Sequence, residues 1–221
     1  MRVSALIGIK KIDCDVEYLV PGELPPQLEG LVKQLTVPML ELQDETGAPS
    51  VMQESGDIIR YLDQLDGQPL LESYEVTLSL SEWLSRISKP LDYLCYPRMP
   101  ALDLPELSSE QAQNYFKASR EELLGMTLTE ALNQTGQWLE VLRPELESLS
   151  SVLMLDGLIS GKRKLQVDDL NVFSILRSLS MVNELVLPES VSRYLDYLTH
   201  ATGLSLYPKI SAEAVTLEGG D

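Results

Sequence analysis

Two short motifs in the first third of the chain could bind a ligand mainly through the backbone. The first is Thr36-Val37-Pro38. A proline at a strand start donates nothing to a ladder, so neighbouring backbone groups stay free. If the Val37–Pro38 bond is cis, the Val37 N–H and C=O can point outward and pair with an extended peptide as a short added strand. Taken alone, the step reads as a proline at a sheet edge. The second motif is Gln53-Glu54-Ser55, just ahead of a helix. Ser55 falls where an N-cap is expected, and unbonded N–H groups beside a hydroxyl at a helix start suit a carboxylate. Taken alone, it reads as a simple cap worth about 1 kcal/mol.

Side-chain chemistry is limited. The sequence has two cysteines, Cys14 and Cys95, and one histidine, His200. A Cys/His zinc site needs about four such ligands, so no metal is expected. His200 has no nucleophile elbow around it and reads as a surface residue in the last turn of a helix. The glycines are scattered, with no phosphate-binding loop. Acidic residues number 34 against 17 basic, a formal net charge of −17, which disfavours nucleic acid. No apolar run nears the ~20 residues that span a bilayer, and no signal peptide is visible, so neither membrane nor export is expected. Low cysteine usage points to a reducing cytoplasm.

The elements that must position the motifs divide near residue 70. Residues 15–20 alternate polar and apolar and predict a strand ending at Pro21-Gly22. Residues 37–42 and 51–53 predict a hairpin around the turn cluster 44–50. A helix follows to about Leu65, with an apolar stripe of Ile58, Ile59, Leu62 and Leu65. Beyond it the pattern is helical. One stripe runs from Leu80 through Trp83 and Ile87 to Leu94, with a kink or break predicted at Pro90. Ser108-Ser109-Glu110-Gln111 opens a helix stopped by Gly125, and Thr127-Leu128-Thr129-Glu130 opens another carrying Leu132, Trp138 and Leu142. An apolar helix from Asp169 reads as central and buried, and a last helix runs from Pro188 to before Gly203.

Val-Pro, a hairpin and then Glu-Ser-x-x-Ile on a helix resembles the glutathione site of glutathione transferases. The likeness narrows over residues 8–20, 35–42, 53–71, 82–98 and 165–182. Val37-Pro38-Met39-Leu40, Glu54-Ser55-Gly56-Asp57-Ile58, the run from Tyr61 to Leu71, Glu82-Trp83-Leu84, Tyr96-Pro97-Arg98, and Asp168-Asp169 with Leu176-Arg177-Ser178-Leu179 resemble the two-domain bacterial glutaredoxin-2 family. The resemblance implies an α/β thioredoxin-like domain at 1–70, incomplete because its first strand is missing. A linker at 71–75, an all-α glutathione-transferase-like domain at 76–210 and a flexible tail at 211–221 follow. It implies glutathione as co-substrate and protein disulfides or mixed disulfides as partners. The Val37 backbone would pair with the cysteine moiety, Pro38 would be cis, and Glu54 and Ser55 would hold the γ-glutamyl end. Apart from the resemblance, the charge of −17 suggests that an anionic ligand needs local help, for which Lys33 and Arg60 are the candidates.

The resemblance has one chemical gap. The family's Cys-Pro-Tyr-Cys element precedes its first helix, and here Met1 aligns just after it. Thiol–disulfide exchange needs a thiolate, and a helix N-terminus favours one. Cys14 is expected to be a small buried hydrophobe and Cys95 to end a long helix, neither at the site. No catalytic residue is therefore assigned, and these 221 residues are expected to be inactive in exchange. A misplaced start or a trimmed chain is the expected explanation. Losing the first strand would leave 15–20 unpaired, at about 1–3 kcal/mol per buried group. The helix from Asp169 has Gln166 where the architecture usually places Ser or Thr, so capping is expected to pass to Asp168. The competing readings are a non-catalytic module that binds glutathione or a protein, and a glutathione transferase, for which Ser4 is the nearby hydroxyl.

Overall fold

The computed structural model describes residues 1–32, 34–43 and 46–213. The chain opens with α1 (Arg2–Lys10), whose inner face carries Val3, Ala5 and Leu6. The short strands β1 (Leu40–Gln43) and β2 (Pro49–Met52) pair antiparallel, with Leu40 opposite Met52 and Gln43 opposite Pro49. α2 (Ser55–Gln64) follows. The body is helical: α3 (Leu78–Cys95), α4 (Glu110–Leu124), α5 (Leu128–Asn133), α6 (Thr135–Leu153), α7 (Leu155–Ile159), α8 (Val167–Leu179) and α9 (Glu189–Thr202). Among the described residues the sheet has these two strands alone.

Helix α1 packs against α2 on one side and against α8 and α9 on the other. One apolar core therefore runs from Leu6, Ile58 and Ile59 into Trp83, Leu142, Phe173 and Tyr194. Gly8 makes the α1–α9 crossing close, since a Cβ there would lie 1.9 Å from the Thr202 carbonyl oxygen. Helix α8 is the central, buried helix that its sequence predicts, with Leu170, Val172, Phe173 and Leu176 inside.

Several expectations need correction. Residues 15–20 form no strand: among the described residues no strand pairs with them, and residues 13–18 are exposed, so their backbone meets water instead of costing buried unpaired groups. This stretch is anchored at its end, where Val20 packs near Phe116 and the Glu23 carboxylate accepts from Gln111 at 2.6 Å. Cys14 is exposed, not buried. Of the kink or break expected at Pro90, the break does not occur: α3 runs through the buried proline as one helix. The single helix expected after Thr127 is two. Its capping box forms, but Gln134 leaves helical geometry at φ −93° and ψ 5°, where the next residue, buried Thr135, accepts from Arg98 at 3.1 Å. Capping of α8 does not pass to Asp168. The Asp169 carboxylate accepts from the Gln166 N–H at 2.8 Å, while Asp168 accepts from the Thr77 hydroxyl at 2.6 Å at the start of α3.

Leu65 of the α2 stripe is exposed, α8 begins at Val167 rather than Asp169, and the Ala212 N–H, in the stretch expected as a tail, donates to Glu184 at 2.7 Å, whereas other signals follow the sequence. Gly125 and Gly203 close their helices with positive φ, Ser109 caps α4 by accepting from Ala112, and His200 is exposed in the last turn of α9. The stretch between the two parts is tied to α8 and the segment before it: Glu72 N–H donates to Leu165 C=O at 2.8 Å, and Val167 N–H to Ser73 C=O at 3.0 Å. Asp63 fixes the same stretch from below, accepting from the Leu70 and Leu71 N–H groups and from the Tyr74 hydroxyl. Residues 214–221 of the expected tail, and Asp44 and Glu45 of the hairpin turn, lie outside the described residues.

Candidate functional site

The hairpin brings the two sequence motifs together. Because β1 and β2 pair with Leu40 opposite Met52, the residues just before β1 lie against those just after β2. The Gln53 side chain completes the join, donating to the Gln34 carbonyl at 2.8 Å and to the Thr36 hydroxyl at 3.0 Å. The Val37–Pro38 peptide is cis, and Val37 is 70% exposed. Among the described residues neither its N–H nor its C=O takes a hydrogen-bond partner. This is a short extended edge open to an extended ligand.

Helix α2 starts beside that edge. Glu54, not Ser55, is the N-cap; its carbonyl accepts from the Ile58 N–H at 2.9 Å. Ser55 is the first helical residue rather than the N-cap, so the helix begins one residue earlier than the sequence predicts. The shift arises because no side chain caps this end: the Ser55 hydroxyl faces Arg2 instead. The Ser55, Gly56 and Asp57 N–H groups find no partner among the described residues. Such a helix end carries partial positive charge and binds anions, while exposed Glu54 beside it suits an ammonium group. Together the edge and the helix end can hold a peptide that has a carboxylate and an amine at one terminus.

Sequence reasoning missed Arg2. Its guanidinium donates to the Ser55 hydroxyl at 2.5 Å and to the Asn171 Oδ1 at 2.9 Å, bridging α1, α2 and α8. No local pattern marks such a residue, since the three partners are far apart in the chain. A second guanidinium, Arg177, lies at the same end of α1, 2.7 Å from the Met1 sulfur, and stacks over Tyr207. Arg60 is engaged elsewhere, over the Tyr74 ring and 3.5 Å from Glu75. Lys33 lies outside the described residues. The cysteines are far from equivalent. Cys14 is open to solvent, whereas Cys95 is buried in the helical body, and burial pushes its thiol up to about 12. Among the described residues no cluster of His, Cys, Asp and Glu is arranged to hold a metal ion, and no helix is long and apolar enough to cross a membrane.

Known proteins match this chain over most of its length. Residues 79–211 match the family described as Glutaredoxin 2, C terminal domain, and residues 1–70 match Glutathione S-transferase, N-terminal domain. Glutaredoxin 2 of Escherichia coli K12 is 27% identical over 208 residues, covering 93% of this chain and 92% of its own. The glutaredoxin 2 of Escherichia coli O157:H7 matches to the same degree. The crystal structure of glutaredoxin 2 from Salmonella typhimurium in complex with glutathione superposes with a TM-score of 0.79. It is 25% identical and covers 93% of this chain and 90% of that one.

Proposed function

The chain belongs to the glutaredoxin 2 family, and from that premise we propose that it binds glutathione at Val37, Pro38, Glu54 and Ser55. The observation that carries the reading is the exposed, unpaired Val37 backbone held by Gln53 beside the open N-terminus of α2. In this reading the Val37 N–H and C=O pair with the cysteinyl residue of glutathione. The γ-glutamyl carboxylate sits on the N–H groups and hydroxyl at Ser55, and its ammonium faces Glu54. The 1–70 part supplies the grip, and the helical part from about residue 76 closes the back of the site through α8.

The chemistry proposed for the family site is thiol–disulfide exchange with protein disulfides or glutathione mixed disulfides, in a reducing cytoplasm. A thiolate must attack one sulfur while the other leaves as a thiolate. Neither cysteine of the sequence is suited to that. Cys95 stays protonated at neutral pH, and Cys14 lies in the exposed stretch after α1 rather than at a helix start. We therefore assign residues 1–221 glutathione binding without exchange turnover.

The test is isothermal titration with glutathione, paired with a hydroxyethyl-disulfide reduction assay on the same 221 residues. Binding is expected for the wild type, and Ser55→Ala should weaken it about 10-fold, the scale of one hydrogen bond to a charged group. No wild-type binding would refute the site. Turnover that survives Cys14→Ser together with Cys95→Ser would refute the assignment of no exchange. Conjugation of chlorodinitrobenzene would instead mark a transferase.

A further inference from the structure

We infer that Arg2 is a positioning residue for the ligand's γ-glutamyl carboxylate: anchored by Asn171 of α8, it fixes the Ser55 hydroxyl as a donor toward the bound anion. The inference rests on the glutathione-binding reading. It is carried by a three-residue relay across three helices. Asn171 donates through Nδ2 to the Val167 carbonyl of its own helix at 3.0 Å, which leaves Oδ1 facing Arg2. Arg2 spends one arm of its guanidinium on that oxygen at 2.9 Å and the other on the Ser55 hydroxyl oxygen at 2.5 Å.

The chemistry of the donor set fixes the direction of the last bond. A guanidinium has donors only, so Ser55 Oγ must accept from it. A serine hydroxyl has a single proton, and with an oxygen lone pair engaged by Arg2 that proton is aimed elsewhere. Among the described residues it meets no acceptor, and it sits beside the open N–H groups of Ser55 and Gly56. The group that completes this arrangement is an oxygen that only accepts, as in a carboxylate. Arg2 also places a positive charge where Glu54 and Asp57 flank the helix start, in a chain whose formal charge is −17. A carboxamide would offer an NH₂ group to a site built from donors. The relay therefore selects carboxylate over carboxamide at this end of the ligand.

The experiment compares glutathione with the analogue in which the γ-glutamyl α-carboxylate is a carboxamide, by titration calorimetry on wild type, R2K, R2Q, N171A and S55A. Thermal melts of each variant report folding separately. Wild type should prefer glutathione by about 10-fold or more, and R2Q should lose about 10- to 100-fold in glutathione affinity, the scale of charge-assisted hydrogen bonds. Binding of the carboxamide should change about 3-fold or less in R2Q, because the bond it makes to the Ser55 hydroxyl is not charge-assisted. R2K should restore part of the preference through its charge, and N171A should lower it while leaving the charge in place. The inference is overturned if S55A weakens glutathione binding but R2Q leaves the carboxylate-to-carboxamide ratio as in wild type. If the wild type binds neither ligand, the glutathione reading itself falls and the inference falls with it.

Discussion

Replacing Gly8 with alanine adds one methyl group at the crossing of α1 and α9. A Cβ at this position stands 1.9 Å from the Thr202 carbonyl oxygen, 2.8 Å from its carbon and 3.2 Å from its Cα. These are backbone atoms of a helix, not the end of a flexible side chain, so α1 and α9 must part by roughly 1.5 Å to reach ordinary contact. Two effects of opposite sign compete. Alanine is better than glycine inside a helix by about 1 kcal/mol. Overpacking a well-filled contact costs about 1–3 kcal/mol and occasionally more, and here the whole crossing moves rather than one rotamer. A 1.9 Å approach to helix backbone puts the overpacking cost at about 3 kcal/mol, the top of that range, so after the helix gain the expected net result is destabilisation by about 2 kcal/mol, which for this chain length lowers Tm by about 4–8 °C. Urea unfolding followed by tryptophan fluorescence reads it, because Trp83 is fully buried in the shared core. Since α1 carries Arg2, glutathione affinity should fall in the same variant. A G8A protein as stable as wild type, or more stable, would refute the argument, because that is the outcome for an unobstructed helical glycine.

Three further outcomes can be checked directly. In native protein at pH 8 a thiol reagent should titrate Cys14 rapidly and leave Cys95 untouched, since burial pushes the Cys95 thiol up to about 12; in urea both should react. Equal rates in the folded state would contradict that burial. Glu184 takes hydrogen bonds from the Ala212 N–H and from fully buried Arg98, and these outweigh burial to hold its carboxyl below the usual 4.5. A depressed carboxyl stabilises the fold above its ordinary value, and the gain fades as pH falls below 4.5 through the lowered value. Glu184→Gln should thus cost about 3 kcal/mol at pH 7, toward the low end for stripping a buried charge of its partner, because Gln keeps an acceptor oxygen. The difference in Tm from wild type should shrink steadily below pH 4, and a gap that stays constant with pH would exclude the charge as its source. At the start of α5, Thr127→Ala removes a reciprocal capping box and should cost about 1 kcal/mol in a urea melt without touching glutathione binding.

What the sequence made legible was local. The hairpin, α2, the Ser109 and Thr127 caps and the Gly125 and Gly203 stops each follow from residues within a few positions of one another. The strand expected at 15–20 failed because a strand is a property of a pair. Its alternation is real, but with no neighbouring ladder the residues face water. The split at Gln134 was hidden because the apolar stripe continues across it, and the Arg98 bond that meets the chain at Thr135 comes from a distant part of the sequence. The site shows the same divide. Val37, Pro38, Glu54 and Ser55 stand out through types and spacing, and the hairpin register brings them side by side. Arg2 could not be found that way, because its partners Ser55 and Asn171 meet it only through the packing of α1 on α2 and α8.

The way α1 is used has a consequence for fragments of this protein. Its apolar side, with Val3 and Leu6, is covered from one direction by α2 and from the other by α8 and α9. Severing the chain near residue 70 would strip away the second cover and expose an oily flank. It would also remove the amide that steadies Arg2. The amino-terminal third is thus no free-standing module, and grafting it onto another protein would transplant a binding loop without the keel that keeps it upright.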